Sequence, residues 1–267
     1  MASKPVVLVT GAARRVGREI ALDLAAHGYD VALHYHASAH EAALTADAIR
    51  AHGVRAEIFQ ADLAQEAHAR SLVPQVLQAM GRLDAVVNNA SGFEYDDLAT
   101  FSYDVLQRQV AANTAPAVVL SQALHAHILE RGDQLRPPAG GACVVNLLDQ
   151  KLWNPNPDYF SYTLSKAALE AASTMLAMAL APHVRVCGVA PGVTLLSGSM
   201  SESEFEAAHR MTVLQRSSTP ADVARSVRFL LDSPAITGTT LLVDGGQHLV
   251  GQARDVMFLA RSTASST

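Results

Sequence analysis

The sequence predicts an α/β protein built on a single Rossmann-like, doubly wound parallel sheet of about seven strands, with helices on both faces. Three observations predict it. Short apolar runs alternate with longer segments of helical period along nearly the whole chain, a pattern that implies parallel strands joined by right-handed helical crossovers. The first run, PVVLVT (5–10), is apolar throughout, as a strand buried on both faces must be. It leads directly into TGAARRVG (10–17), a glycine-bearing turn that opens a helix, the place where such folds hold a dinucleotide.

The elements follow in order. The helix after the first turn has Ile20, Leu22, Leu24 and Ala25 apolar and ends near Gly28. A second strand over Asp30–Tyr35 precedes an Ala-rich helix over 40–52, and a third strand over 54–61 ends in Asp62. A helix over Glu66–Met80 and a fourth strand over 83–87 come next. One long helix is expected over 103–130, then a surface loop over 132–141 carrying Pro137 and Pro138, then a fifth strand over 142–148. A helix over 158–181, a sixth strand over 184–190, a last helix over 220–231 and a short seventh strand over 240–243 complete the set. No repeat is present beyond the βα unit. The expected layout is one nucleotide-binding unit over 1–250, including a substrate lid at 194–218, and a tail at 251–267.

Composition narrows the function. A chain of 267 residues, 49% hydrophobic and 17% charged, can bury a substantial core. A net charge of −5 offers no basic footprint for nucleic acid. Cys143 and Cys187 lie in apolar runs and read as small core residues of a reducing compartment, so neither a disulfide nor a metal site is expected. No apolar run approaches the ~18 residues of a membrane span, and residues 1–4 are too short and polar for a signal sequence. A cytoplasmic protein with a small-molecule substrate is the expectation.

The chemistry concentrates in 149–166, DQKLWNPNPDYFSYTLSK. It leaves the fifth strand, crosses a Pro/Asn-rich loop and enters a helix. Tyr162 and Lys166, four residues apart, share one face of that helix. An ammonium beside a phenol stabilises the phenolate, so Lys166 is expected to lower the Tyr162 pKa and make the phenol a proton donor or acceptor near neutrality. Asp149 sits at the carboxyl end of its strand, where open α/β sheets place their ligands. Read singly, Asp149 is a cap or turn residue and Tyr-x-x-x-Lys a solvated helix face. The first turn gives them a partner: Gly11 permits a tight bend, Gly17 a close helix approach, and the helix N-terminus offers free N–H groups to a pyrophosphate. The second strand ends LHYHAS (33–38) with no carboxylate before Glu41. Arg14 and Arg15, with His36 and Ser38 as donors, therefore favour the 2′-phosphate of NADP(H). His34 and His36 read equally as a capped strand end.

On these motifs the chain resembles the short-chain dehydrogenase/reductases over nearly its whole length. TGAARRVG, Asp62-Leu63, Asn88-Asn89-Ala90-Ser91, Asn113, Tyr162-x-x-x-Lys166, Pro191-Gly192 and Val243-Asp244-Gly245-Gly246 occur in family order. The resemblance implies hydride transfer with nicotinamide, Tyr162 as acid/base, Lys166 on the nicotinamide ribose and Asn113 holding a relay water. It also implies cofactor contacts from Gly11, Arg14, Arg15, Val16, Gly17, Tyr35, His36, Ser38, Leu63, Ser91, Pro191, Gly192 and Thr194, with Asp62 on the adenine and Asn89 and Ala90 on the adenosine ribose. A homotetramer follows by the same analogy.

One position departs from the family: Asp149 stands where a serine is usual, thirteen residues before the tyrosine. A carboxylate there repels a developing alkoxide, but suits a ring nitrogen that must receive a proton. The pteridine reductases of this family look like this, with a TGAA(K/R)R first turn, HYH-x-S after the second strand and NNAS-x-F after the fourth; this chain reads HYHAS and NNASGF. The resemblance implies that Phe93 stacks a pterin opposite the nicotinamide, with Arg15 and Ser91 touching pterin or cofactor. Ala37 replaces an arginine common in that group. Trp153 is placed in the same pocket or at an oligomer contact, the amphipathic stretch 204–211 in the lid, and the apolar start of the tail on a neighbouring subunit. Three readings stand: a pterin reductase, a carbonyl reductase in which Asp149 is idiosyncratic, and a non-catalytic NADP sensor.

Overall fold

In the computed structural model of the chain, the described residues are 4–132, 140–196 and 200–264. Most of the surface loop expected at 132–141, positions 197–199 of the expected lid and 265–267 of the tail lie outside them. Seven strands form one sheet: β1 (Val6–Val9), β2 (Asp30–Tyr35), β3 (Ala56–Gln60), β4 (Ala85–Asn88), β5 (Ala142–Leu147), β6 (Val184–Pro191) and β7 (Thr240–Val243). Their order is β3-β2-β1-β4-β5-β6-β7, every neighbouring pair parallel. The chain order reverses between β1 and β4, and the crevice of such a fold opens at the carboxyl ends of those strands.

Strand alternation sorts the core into two layers. Val7 and Val9 of β1 pack with Ile20, Leu24, Ile49, Val227 and Leu230 on one face; Val6 and Leu8 pack with Leu72, Val76, Leu120 and Leu124 on the other. The helices of the first layer are α1 (Arg15–Ala26), α2 (Ala39–Arg50) and α8 (Pro220–Asp232). Those of the second are α3 (Glu66–Met80), α5 (Ala115–Arg131) and α6 (Phe160–Ala179). The helix expected over 103–130 is two: α4 (Tyr103–Asn113) and α5, with Thr114 between them. Pro116 explains the break, because it has no N–H to continue the ladder of α4, and the Thr114 hydroxyl is drawn aside to the Ser165 carbonyl (2.8 Å).

Two polar constructions cross this apolar interior. At the amino end of the sheet, Asp84 is fully buried and accepts from Arg82 Nη2 (2.6 Å), Arg131 Nη1 (2.8 Å) and the Val6 N–H (2.8 Å). At the other end, Asn88 Nδ2 donates to Asn146 Oδ1 (2.8 Å), Asn146 Nδ2 to Ser173 Oγ (2.8 Å), and that hydroxyl to the Leu169 carbonyl (2.7 Å). The second chain runs from β4 through β5 into α6, each member buried, and fixes how α6 is rotated over the sheet.

Two further helices lie beyond the sheet. A serine cap with a reciprocal Glu204 contact starts α7 (Glu202–Arg210), close to the amphipathic stretch expected at 204–211. The tail forms α9 (Val256–Ala264), and Val256 and Ala260 pack on Ala208 of α7. The tail's apolar start thus packs on its own chain through Val256 and Ala260.

Candidate active site

The crevice holds two adjoining grooves. The first runs along the N-terminus of α1 and the end of β2 and is lined by Gly11, Arg14, Val16, Gly17, Tyr35, His36, Ser38, Asn89 and Ala90 among others. The first turn of α1 has no side-chain cap and no acidic residue, so its leading N–H groups await an anion. No lining residue is acidic, and Arg14, Arg15, His36 and Ser38 are all present. These features fit the pyrophosphate and 2′-phosphate of NADP(H). A side chain at Gly17 would run into the Gly11 carbonyl oxygen, which is the close helix approach expected of it. Asn89 acts from below: its Nδ2 donates to the carbonyls of Thr10 (2.9 Å) and Gly11 (3.2 Å), holding the turn to β4.

His34 is part of the framework of that turn. Its Nδ1 accepts from the Gly11 N–H (3.1 Å) and its Nε2 meets the Ala61 carbonyl (3.0 Å), which requires the neutral tautomer protonated at Nε2. Burial lowers its pKa from 6.5 to about 4, against the opposing pull of Ala61. The folded value is the depressed one, so the unfolded chain binds more protons between the two. The stabilisation is therefore complete above pH 6.5 and lost as pH falls toward 4. His34→Asn is expected to remove about 3 kcal/mol from the total fall in unfolding free energy as pH drops from 6.5 to 4; an unchanged fall would remove His34 from the account.

Asp62 and Leu63 are not among the groove's lining residues. The Asp62 carboxylate is taken by the Ala64 N–H (3.1 Å) and Gln65 Nε2 (3.1 Å), shaping the turn before α3.

The second groove continues from the first through Arg15, Val16 and Ser91, which line both. It encloses about 340 Å³, within the range of small-ligand pockets. At its floor Tyr162 Oη donates to Asp149 Oδ2 at 2.9 Å, while Asp149 Oδ1 accepts from the Lys151 N–H (2.9 Å). Asp149 is therefore a cap through one oxygen and the partner of the Tyr162 hydroxyl through the other. Lys166 Nζ lies 5.8 Å from the centre of the Tyr162 ring and donates to the Leu147 carbonyl (2.7 Å). Asn113 is spent on the loop after β4: Oδ1 accepts from Gly92 N–H (2.7 Å) and Ser91 Oγ (3.0 Å), and Nδ2 donates to Ser165 Oγ (2.8 Å). Gly192 and Thr194 line the same groove, and Thr194 Oγ1 pairs with Ser218 Oγ (2.7 Å). Pro191 ends β6 just before them.

Electrostatics correct one expectation. Burial raises the Tyr162 phenol well above its ordinary value, and the Asp149 charge and hydrogen bond push it further the same way. The lowered phenol expected from Lys166 is thus absent, because the neighbouring carboxylate acts in the opposite sense. Burial also raises Asp149, against the Lys151 N–H, the Tyr162 hydroxyl and the Lys166 charge. It lowers Lys166 to about 8 despite Asp149. The pair at the floor is a protonated phenol beside a carboxyl with increased proton affinity, so the site retains protons at neutral pH for a ligand that can accept one.

Aromatic rings wall this groove. Phe93 is half exposed, lies stacked on Tyr159 (centroids 4.2 Å, 17°) and meets Tyr162 edge-on (4.8 Å, 89°). One face of Phe93 is therefore already covered, and a flat ligand has the other. Trp153 is exposed and lines neither groove, contrary to the pocket position expected for it.

Several contributors escape the motifs. Asp96 accepts from the Ser161 N–H (2.9 Å) and Oγ (2.5 Å), seating the N-terminus of the helix that carries Tyr162; only an acidic residue in a loop hinted at it. Tyr159 enters α6 with φ of 53°, a conformation non-glycine residues rarely adopt. Gln150, Lys151, Asp255 and Met257 line the second groove, the last two from the tail.

The family model described as enoyl-(acyl carrier protein) reductase matches residues 11–248. The solved structure of FolM alternative dihydrofolate reductase 1 from Brucella canis, complexed with NADP, is 38% identical with a TM-score of 0.86, covering 96% of this chain and 98% of that one. Pteridine reductase 1 of Leishmania tarentolae is 34% identical over 279 residues, 92% of this chain and 96% of that protein. The 3-oxoacyl-(acyl-carrier-protein) reductase FabG of Staphylococcus aureus is 31% identical over 247 residues, 91% and 97% of the two chains.

Proposed function

This chain belongs to the short-chain dehydrogenase/reductase family, in its pteridine reductase-like subgroup, and from that premise we propose that it reduces a C=N bond of a pterin or dihydrofolate-like substrate with NADPH. The observation that carries the reading is the 2.9 Å hydrogen bond from Tyr162 Oη to an aspartate, where the family's usual serine would serve a carbonyl. NADP(H) is the cofactor, and when bound it supplies the hydride. Arg14, Arg15, His36 and Ser38 would hold its phosphates, and Lys166 its nicotinamide ribose. Tyr162 gives its proton to the ring nitrogen beside the reduced carbon, and Asp149 returns one to Tyr162 through their shared hydrogen bond. Ser91 and Arg15 would orient the heterocycle, and the open face of Phe93 would stack it. We assign the 194–218 segment as the lid: Thr194 and Leu195 line the groove, and Arg15 Nη2 already reaches the Leu196 carbonyl (2.9 Å). The carbonyl reading keeps one support, the FabG likeness. The sensor reading has none, since the proton-donating pair is intact.

NADPH consumption with dihydrobiopterin, dihydrofolate and a panel of ketones tests the reading. Pterin turnover is expected and ketone turnover is not. Wild-type activity should fall as pH rises through the raised Asp149 pKa, and also near 8 where Lys166 loses its charge. In Asp149→Ser the first limb should vanish. A serine variant that turns over pterin with the limb in place would remove Asp149 from the mechanism.

A further inference from the structure

The C-terminal segment is fastened to the loop between Asp149 and Tyr162 by two ion pairs. Lys151 is buried two residues after Asp149 and donates through Nζ to the Asp158 carbonyl (2.6 Å) and to Asp255 Oδ2 (3.1 Å). Its backbone N–H holds Asp149 Oδ1, so one residue grips both the catalytic carboxyl and the tail. From the tail, Arg254 straddles both oxygens of Asp158, which also accepts from the Asp255 N–H (2.7 Å). Asp255 Oδ1 then caps Met257 (3.1 Å), and Met257 packs against Tyr159 and Tyr162. The Lys151 ammonium also stands 5.4 Å over the Tyr159 ring that backs Phe93. Lys151, Asp255 and Met257 all face the second groove.

We propose that Lys151 and Asp255 are a positioning pair of the active site: they fasten the C-terminal segment to the loop joining Asp149 to Tyr162, and set a matched positive and negative charge beside the Asp149 carboxyl. The reason is Coulombic. In a poorly hydrated pocket a carboxylate makes ionisation of a neighbouring carboxyl harder, and an ammonium makes it easier. The charged and titratable groups facing Asp149 are Tyr162 and Lys166 from α6, Lys151 from its own loop, Asp255 from the tail and Arg15 across the groove. Among these only Lys151 and Asp255 offset each other through a direct ion pair. Deleting either half therefore exposes Asp149 to the charge of the other. Asp255→Asn leaves a cation, and Asp149 should ionise more easily; Lys151→Met leaves an anion, and it should ionise less easily.

The role given to Asp149 rests on the pterin reading, so the test reads the carboxyl itself in the absence of substrate. Carbon-13 resonances of aspartate carboxyls are titrated in the whole protein, the Asp149 signal being identified by its loss in Asp149→Ser. Relative to wild type, the midpoint is expected to fall by on the order of half a pH unit in Asp255→Asn and to rise by a similar amount in Lys151→Met. It should return close to wild type in the double variant. Shifts in the same direction in both single variants, or none in either, overturn the proposal, because loosened packing alone cannot give opposite signs. Dihydropterin turnover by wild type is measured separately: its absence overturns the pterin reading, while the titration alone decides the pair.

Discussion

Tyr162→Phe is expected to lower kcat/KM for a dihydropterin by about 10²–10⁴-fold, the usual loss when a general acid is removed. The phenol hydroxyl is buried at the floor of the second groove, where it donates to Asp149, and burial together with Asp149 keeps its proton in place across the neutral range. Phenylalanine keeps the ring that meets Phe93 and packs with Met257, so the fold and the NADPH dissociation constant should change little. The Lys151 N–H still satisfies one Asp149 oxygen, so no new backbone strain is introduced. Stopped-flow measurement of NADPH oxidation separates binding from turnover. A loss under tenfold would mean that the proton reaches the substrate by another route.

Asp84→Ala should cost about 3–5 kcal/mol of folding stability, read as a lower midpoint in urea at unchanged slope. Asp84 is the common acceptor for two buried guanidiniums and a strand N–H. Removing it leaves both cations without their carboxylate where water cannot replace it. The cluster lies at the amino end of the sheet, away from the crevice, so kcat at a temperature where the variant is folded should be unaffected. Replacing Asp84, Arg82 and Arg131 together by apolar residues of similar volume should recover most of the loss. Equal destabilisation of the triple variant would mean that packing, rather than stranded charge, is responsible.

How far the sequence could be read followed from how local each signal is. The short apolar runs located every strand, and Glu66–Met80 matched to the residue because Gly81 ends that helix with φ of 78°. Asp149 and Tyr162 were legible as a pair because thirteen residues of loop and helix join them. The split at Thr114 was signalled by Pro116 and overridden by the long apolar period around it. The tail's role was not legible: Lys151 and Asp255 are 104 positions apart, and no periodicity connects them. The pocket placement of Trp153 failed because a large aromatic near this loop suggests a pocket, whereas the residue lies exposed after the helical turn at 150–152, which leaves its reading as an oligomer contact standing. The rise in the Tyr162 pKa comes first from burial and then from the Asp149 carboxylate beside it, and spacing along the chain carries neither.

The buried amide rail from Asn88 through Asn146 to Ser173 bears on how this protein can be redesigned. Three small polar groups help to set the rotation of the helix bearing Tyr162, alongside the Asp96 contact at its start and the apolar residues beneath it. Laboratory evolution can therefore vary the greasy contacts under that helix, such as Leu169 or Ala177, and still inherit a correctly aimed phenol. A library that randomises the rail itself will lose the aim even where it keeps the volume.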